Sequence, residues 1–197
     1  MALRSPGERR PDGTAGTSEE FLDRVKAPWA KVVVEPRGTG ETAWGEQLQW
    51  HLRRASAWTG RTLASMWVYD ALRALEAVRS LPQVDAKRVA LAARGEMAAV
   101  ALYAALLDGQ VTTLILDSAP ATQNAPSERD GRGPALEMLS CLRITGLAQV
   151  AGLLYPTELV FVGECPLPYD WAEGIYRRLG MPDRFRRLSD LTTWKVT

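Results

Sequence analysis

The chain has 197 residues, 46% of them hydrophobic and 24% charged, enough to bury one substantial core as a globular domain. Its 24 basic and 23 acidic residues are interleaved to a formal net charge of +1, leaving no clustered basic face of the kind that nucleic acid or anionic lipid requires, so neither is an expected partner. Two cysteines, Cys141 and Cys165, and a single histidine, His51, are too few for a disulfide framework or a His/Cys metal centre, and no metal or cofactor is expected.

Residues 1–16 carry three glycines, two prolines and five charged side chains before any apolar periodicity, which predicts a disordered tail followed by a single domain over 17–197. The start has no apolar segment of signal-peptide length, and no run reaches the roughly 20 apolar residues of a membrane helix. A cytoplasmic protein outside the membrane is therefore expected, unless a signal has been lost from the start. Thr17 or Ser18 followed by Glu20, Phe21, Leu22 and Val25 predicts a short capped helix. Lys31-Val32-Val33-Val34-Glu35, β-branched and bounded by Pro28 and Pro36, predicts a buried strand that ends in a loop over Pro36–Glu41.

Between Thr42 and Arg61, Trp44, Trp50, His51 and Trp58 stand among charged and small residues at helical spacing without a clean apolar face, as in an excursion over a sheet. From Thr62 the spacing of Leu63, Met66, Val68, Leu72, Leu75 and Val78 predicts a helix with one side on the core, stopped at Ser80-Leu81-Pro82. Val89–Ala92 predicts a second strand, Ala98–Leu107 a helix and Val111–Leu116 a third strand, with an exposed loop over Ala121–Gly133. One or two short helices are expected within Pro134–Leu154, a fourth strand at Leu159–Val162, an amphipathic helix over Tyr169–Leu179 and an edge strand near Arg186–Leu188. Strands that alternate with helices pair in parallel through crossovers, so the expected architecture is an open, mostly parallel, three-layer α/β sheet of four or five strands. Ligands in such sheets sit beyond the carboxyl ends of the strands, which places Glu35–Glu41, Gly95, Glu96, Asp117, Ser118 and Gly163–Pro168 on one rim.

Three segments carry a resemblance. Glu35-Pro36-Arg37-Gly38-Thr39-Gly40, then Val68-Tyr69-Asp70-Ala71-Leu72-Arg73-Ala74-Leu75, then Val84-Asp85-Ala86-Lys87-Arg88-Val89-Ala90-Leu91 follow in the order and spacing of D-x-R-G-x-G, V-x-D-x-x-R-A-L and V-D-x-x-R-I-A-L. The chain thus resembles the second half of an α/β-hydrolase, most closely the bacterial acetyl xylan esterase and prolyl-oligopeptidase types, over roughly Ala27 to Leu179. The resemblance implies an α/β-hydrolase-like fold, truncated at its amino end and lacking the first strands and the loop that supplies half of the oxyanion hole.

In that superfamily the stretch Lys87–Gly109, a strand, a small-residue corner and a helix, carries G-x-S-x-G, with the serine held out above the sheet on a strained turn. On that frame the outer glycines fall at Ala93 and Met97 and the nucleophile at Gly95, which has no side chain. Glu96 falls where the backbone amide serves the oxyanion hole, and the acid falls near Glu164 or Asp170. The superfamily's histidine follows the last strand, but no histidine lies downstream of Gly163, and His51 precedes the corner. A serine hydroxyl is a weak nucleophile without an imidazole in hydrogen-bond reach, so losing both removes most of the roughly 10⁶-fold contribution of such a triad.

Other residues have a functional and a plain reading. Ser118 is either a displaced nucleophile or a turn residue after its strand; Glu96 either favours the positive end of a helix or joins Glu35, Glu41 and Glu164 in a carboxylate cluster able to hold a cation or act as a base. Arg37-Gly-Thr-Gly lacks the lysine of a phosphate loop, and Trp44, Trp50 and Trp58 either stack on a sugar or pack the excursion onto the sheet. Three expectations follow: a degenerate hydrolase-like domain that binds a small ester, carbohydrate or protein; an active esterase using Ser118 with His51; or a subunit whose bare sheet edge is completed by a second copy.

Overall fold

The computed structural model describes residues 1–8, 17–26, 28–124 and 133–194. Its strands are β1 (Ala2–Leu3), β2 (Val33–Val34), β3 (Ala90–Arg94), β4 (Thr113–Asp117), β5 (Glu158–Val162) and β6 (Phe185–Leu188). They form one open sheet in the order β2-β1-β3-β4-β5-β6, every neighbouring pair parallel. The α-helices are α1 (Ser18–Asp23), α2 (Glu46–Trp58), α3 (Leu63–Arg79), α4 (Glu96–Asp108), α5 (Leu147–Leu153) and α6 (Asp170–Arg178). The expected open, parallel α/β sheet is therefore present, with six strands rather than four or five.

Alternation along the strands separates two cores, because successive side chains point to opposite faces. Leu3, Leu91, Ala93, Leu114, Leu116, Leu159 and Phe161 face α3, α4, α5 and α6. Ala2, Ala92, Ile115, Val160 and Val162 face a thinner layer made by Phe21, Leu22 and Val25 around α1 and by Leu191 and Trp194 near the carboxyl end. The three expected layers are thus unequal. Helix α4 is apolar all round and buried from Met97 to Ala105, since it lies between the sheet and its neighbouring helices. Helix α1 is the short capped helix expected; Thr17 is its cap and forms a reciprocal capping box with Glu20.

The expected tail over residues 1–16 is corrected at its start. Met1 donates its amino group to Ala90 O at 2.9 Å, and Ala92 N donates to Met1 O at 2.8 Å. On the other side, Ala2 N donates to Val32 O at 2.8 Å and Arg4 N to Val34 O at 2.9 Å, so the first residues fill the slot between β2 and β3. Two strand residues are too few to show a period; they are held because both neighbouring edges present unpaired backbone groups. Arg4 is 1% exposed and reaches the carboxylates of Glu8, Glu19 and Glu35, the last at 3.0 Å. The remainder of the expected tail, residues 9–16, lies outside the described residues, as does most of the expected loop, residues 125–132.

A second correction concerns Lys31–Glu35. Only Val33 and Val34 are strand, both half-buried, because β2 lies at the end of the sheet. In α3 the buried stripe is Leu63, Trp67, Ala71, Leu75 and Val78, with Ala64 and Val68 beside it, while Met66 and Leu72 are only partly buried. The Trp67 indole fills the core and donates Nε1–H to Arg37 O at 2.8 Å. Among the described residues no helix is long and apolar enough to cross a membrane.

Candidate active-site rim

All strands being parallel, their carboxyl ends share one edge, where Glu35, Arg94–Gly95, Asp117–Ser118 and Gly163–Glu164 follow β2, β3, β4 and β5. The amino-terminal strand adds Arg4 and Ser5 between Glu35 and Gly95. Between β3 and α4 the chain turns through Gly95 at φ 53° and ψ −131°, a left-handed corner that favours glycine. A Cβ built there would meet nothing within 4 Å. The corner is pinned from β4: Gly95 N donates to Asp117 O at 2.9 Å, and Arg94 Nε donates to Asp117 Oδ2 at 2.9 Å. Ser5 Oγ donates to Arg94 O at 3.1 Å, so the first residues brace the same turn.

Ser118 follows immediately, exposed and itself in the left-handed region at φ 52°. Its hydroxyl donates to Asp117 Oδ1 at 2.9 Å. The Asp117 carboxylate is thereby shared between a guanidinium and a hydroxyl, a clasp that holds the ends of β3 and β4 together. His51 is exposed on α2, its ring 4.7 Å from that of Trp50, and among the described residues no hydrogen bond joins it to Ser118.

Glu96 opens α4 beneath the segment that precedes α5, and its Oε2 accepts from Ala135 N at 2.7 Å. Burial pushes the Glu96 carboxyl above the ordinary glutamate range, opposed by that amide and by Arg53. Arg53, on α2 and only 8% exposed, clamps the same segment: its guanidinium donates twice to the Glu137 carboxylate at 2.8 Å and to Gly133 O at 3.2 Å. The excursion that carries the tryptophans is therefore fastened over the corner by an arginine that no sequence motif marks.

The pH consequence can be signed. A carboxyl with a raised pKa in the folded state holds its proton there longer than when unfolded, so stability falls as pH rises from the ordinary glutamate range through the raised value. Glu96→Gln keeps an acceptor for Ala135 and removes that loss. Urea denaturation at pH 4 and pH 7 should show the variant gaining on the parent protein as pH rises; a pH-independent gap would contradict this account.

The expected carboxylate cluster is corrected. Among the described residues no group of three or more His, Cys, Asp or Glu side chains is placed to hold a metal ion. Glu35 pairs with Arg4 and accepts from Glu41 N at 3.0 Å, Glu96 lies under Ala135, and Glu164 is exposed after β5. Asp170, at the start of α6, binds Arg187 of β6 at 2.6 Å, an ion pair with no imidazole in it. Cys165, near this edge, is a free thiol whose pKa burial pushes up to about 11.

Two of the three segments that carried the sequence resemblance are joined by an ion pair. Arg37 Nε and Nη2 bind both oxygens of Asp70 at 2.8 and 2.5 Å, and Arg37 N also donates to Asp70 Oδ2 at 3.1 Å. This fork ties the loop after β2 to α3, so Arg37 is committed to a carboxylate rather than to a phosphate. Gly38 lies against the Trp44 ring, which packs on the main core, whereas Trp58 is 90% exposed.

No family model matches the sequence, and no curated protein matches it. In fold, the chain is similar to a protein of Bacteroides fragilis described as an acetyl xylan esterase, at TM-score 0.64 and 12% identity over 79% of this chain and 45% of that one. It also aligns with a carbohydrate esterase family 15 glucuronoyl esterase of Caldicellulosiruptor kristjansonii, at TM-score 0.46 and 16% identity over 64% of this chain and 44% of that one. The chain spans less than half the length of either structure.

Proposed function

We propose that this chain is an α/β-hydrolase-like domain without ordinary Ser-His-Asp ester hydrolysis, which keeps the rim above Gly95 as a binding surface for a small ester or carbohydrate. The observation that carries this reading is the corner itself: Gly95 has a left-handed backbone and open space where a nucleophile's side chain would stand, and no side chain to fill it. The commitment of Ser118 to Asp117 and the exposed position of His51 support the same reading, since a hydroxyl needs a base within hydrogen-bond reach to attack a carbonyl. The name of the Bacteroides fragilis neighbour supplies the class of ligand.

The test is turnover of p-nitrophenyl acetate by the purified chain, with Ser118→Ala and His51→Ala beside it. Background hydrolysis in all three is the expected result, and turnover that disappears in both variants would overturn the proposal. Gly95→Ser should also stay at background, because restoring the hydroxyl supplies no imidazole; a rate more than tenfold above background would show that a base is present after all.

The edge at β2, whose Val33 and Val34 are half-buried and among the described residues pair only with β1, favours a second reading in which another copy completes the sheet. Light scattering separates the two: a monomer at micromolar concentration removes this second reading.

A further inference from the structure

At the opposite end of the sheet, where β1, β2 and β3 begin, a cavity of about 230 Å³ opens between the approach to β2 and the connection from α3 to β3. Val32, Val78, Val84 and Val89 give it apolar walls, and Trp29, Gln83, Asp85 and Arg88 are among the other residues that line it. At ~30 Å³ per water molecule the volume holds roughly seven, too many for a single hydration site. It is below the roughly 300–1,000 Å³ of clefts that take drug-sized ligands, so only a small molecule fits.

Arg88 lies with its guanidinium carbon 5.6 Å from the centre of the Trp29 ring, and Trp194 supports that indole from 5.8 Å. Among the described residues no carboxylate forms an ion pair with Arg88; Asp85, on the same wall, accepts instead from Lys87 N at 3.0 Å. An exposed guanidinium that lines a largely apolar cavity, 5.6 Å from the centre of an indole and in no ion pair among the described residues, is complementary to a carboxylate on a flat apolar body. The fork takes the two oxygens, and the body lies against the indole and the valines.

We infer that this cavity is a binding site for a small aromatic carboxylate, separate from the rim and sharing no residue with it. Ligands of open parallel sheets ordinarily sit at the carboxyl ends of the strands, so occupancy here is independent of any chemistry at Gly95.

Calorimetric titration of the whole chain with benzoate, and with benzamide as its uncharged isostere, tests this, each repeated on Arg88→Gln. Saturable benzoate binding is expected, at least tenfold weaker for benzamide, with the benzoate preference lost in the variant. Absence of saturable benzoate binding, equal affinity for the two probes, or an undiminished preference in Arg88→Gln would each overturn the assignment. Because the two probes are compared on the unaltered chain, a variant that folds poorly leaves the inference decidable.

Discussion

A chain lacking residues 1–8 is expected to lose cooperative folding. The deleted segment contains β1, which lies in the interior of the sheet between β2 and β3 rather than at an edge. Its removal leaves Ala92 N and the carbonyls of Val32, Val34 and Ala90 without their partners and separates β2 from the rest of the sheet. Leu3 is fully buried in the main core, and truncating such a side chain costs about 2–5 kcal/mol. Losing Arg4 also strips Glu19 and Glu35 of their shared guanidinium, and each buried backbone group left unpaired costs about 1–3 kcal/mol. Together these approach the whole stability of a domain, about 5–15 kcal/mol. Urea melts followed by circular dichroism should show no cooperative transition for the shortened chain; a midpoint equal to that of the full chain would mean that the segment is dispensable.

Gly38→Ala is expected to destabilise by about 2–5 kcal/mol, combining roughly 1–2 kcal/mol for a left-handed alanine with ~1–3 kcal/mol for overpacking. Gly38 has φ 75°, and an added Cβ would stand 2.1 Å from Cζ2 of the Trp44 ring, a contact that only displacement of the indole relieves. Displacing Trp44 uncovers part of the core beside the loop after β2, where Arg37 grips Asp70. Gly95→Ala supplies the control: its φ is 53° but its Cβ would meet nothing, so only the backbone strain remains, about 1–3 kcal/mol. Parallel thermal melts should therefore rank Gly38→Ala well below Gly95→Ala. Equal losses at the two sites would show that the Trp44 contact contributes nothing.

The two glycines differ in how much could be read from their surroundings. At Gly95 the apolar run before it and the small residues around it give the corner, since a strand, a tight turn and a helix are specified by residues adjacent in the chain. At Gly38 the pattern Arg-Gly-Thr-Gly marks a loop but is silent on its purpose, because the ring packed against it and the carboxylate that binds Arg37 arrive from elsewhere; Asp70 is 33 residues away. Ser118 and His51 illustrate the converse. Each is a chemically competent residue type, and only position decides between a base–nucleophile pair and what is observed, a clasp on Asp117 and an exposed ring beside Trp50.

The parallel α/β architecture, the capped start of α1, the positions of the four later strands and the tight turn at Gly95 are legible in the chain alone, because they rest on hydrophobic period and turn chemistry within a dozen residues. Tertiary structure alone decided that the first residues enter the sheet, that Arg53 fastens α2 to Glu137 across 84 positions, and that Arg88 meets Trp29 over a cavity. A two-residue strand has no period, and an ion pair between distant segments leaves no local pattern. Both exist because crossovers bring unpaired backbone edges and opposite charges together in a low-dielectric interior, where leaving them unsatisfied costs more than ordering the chain.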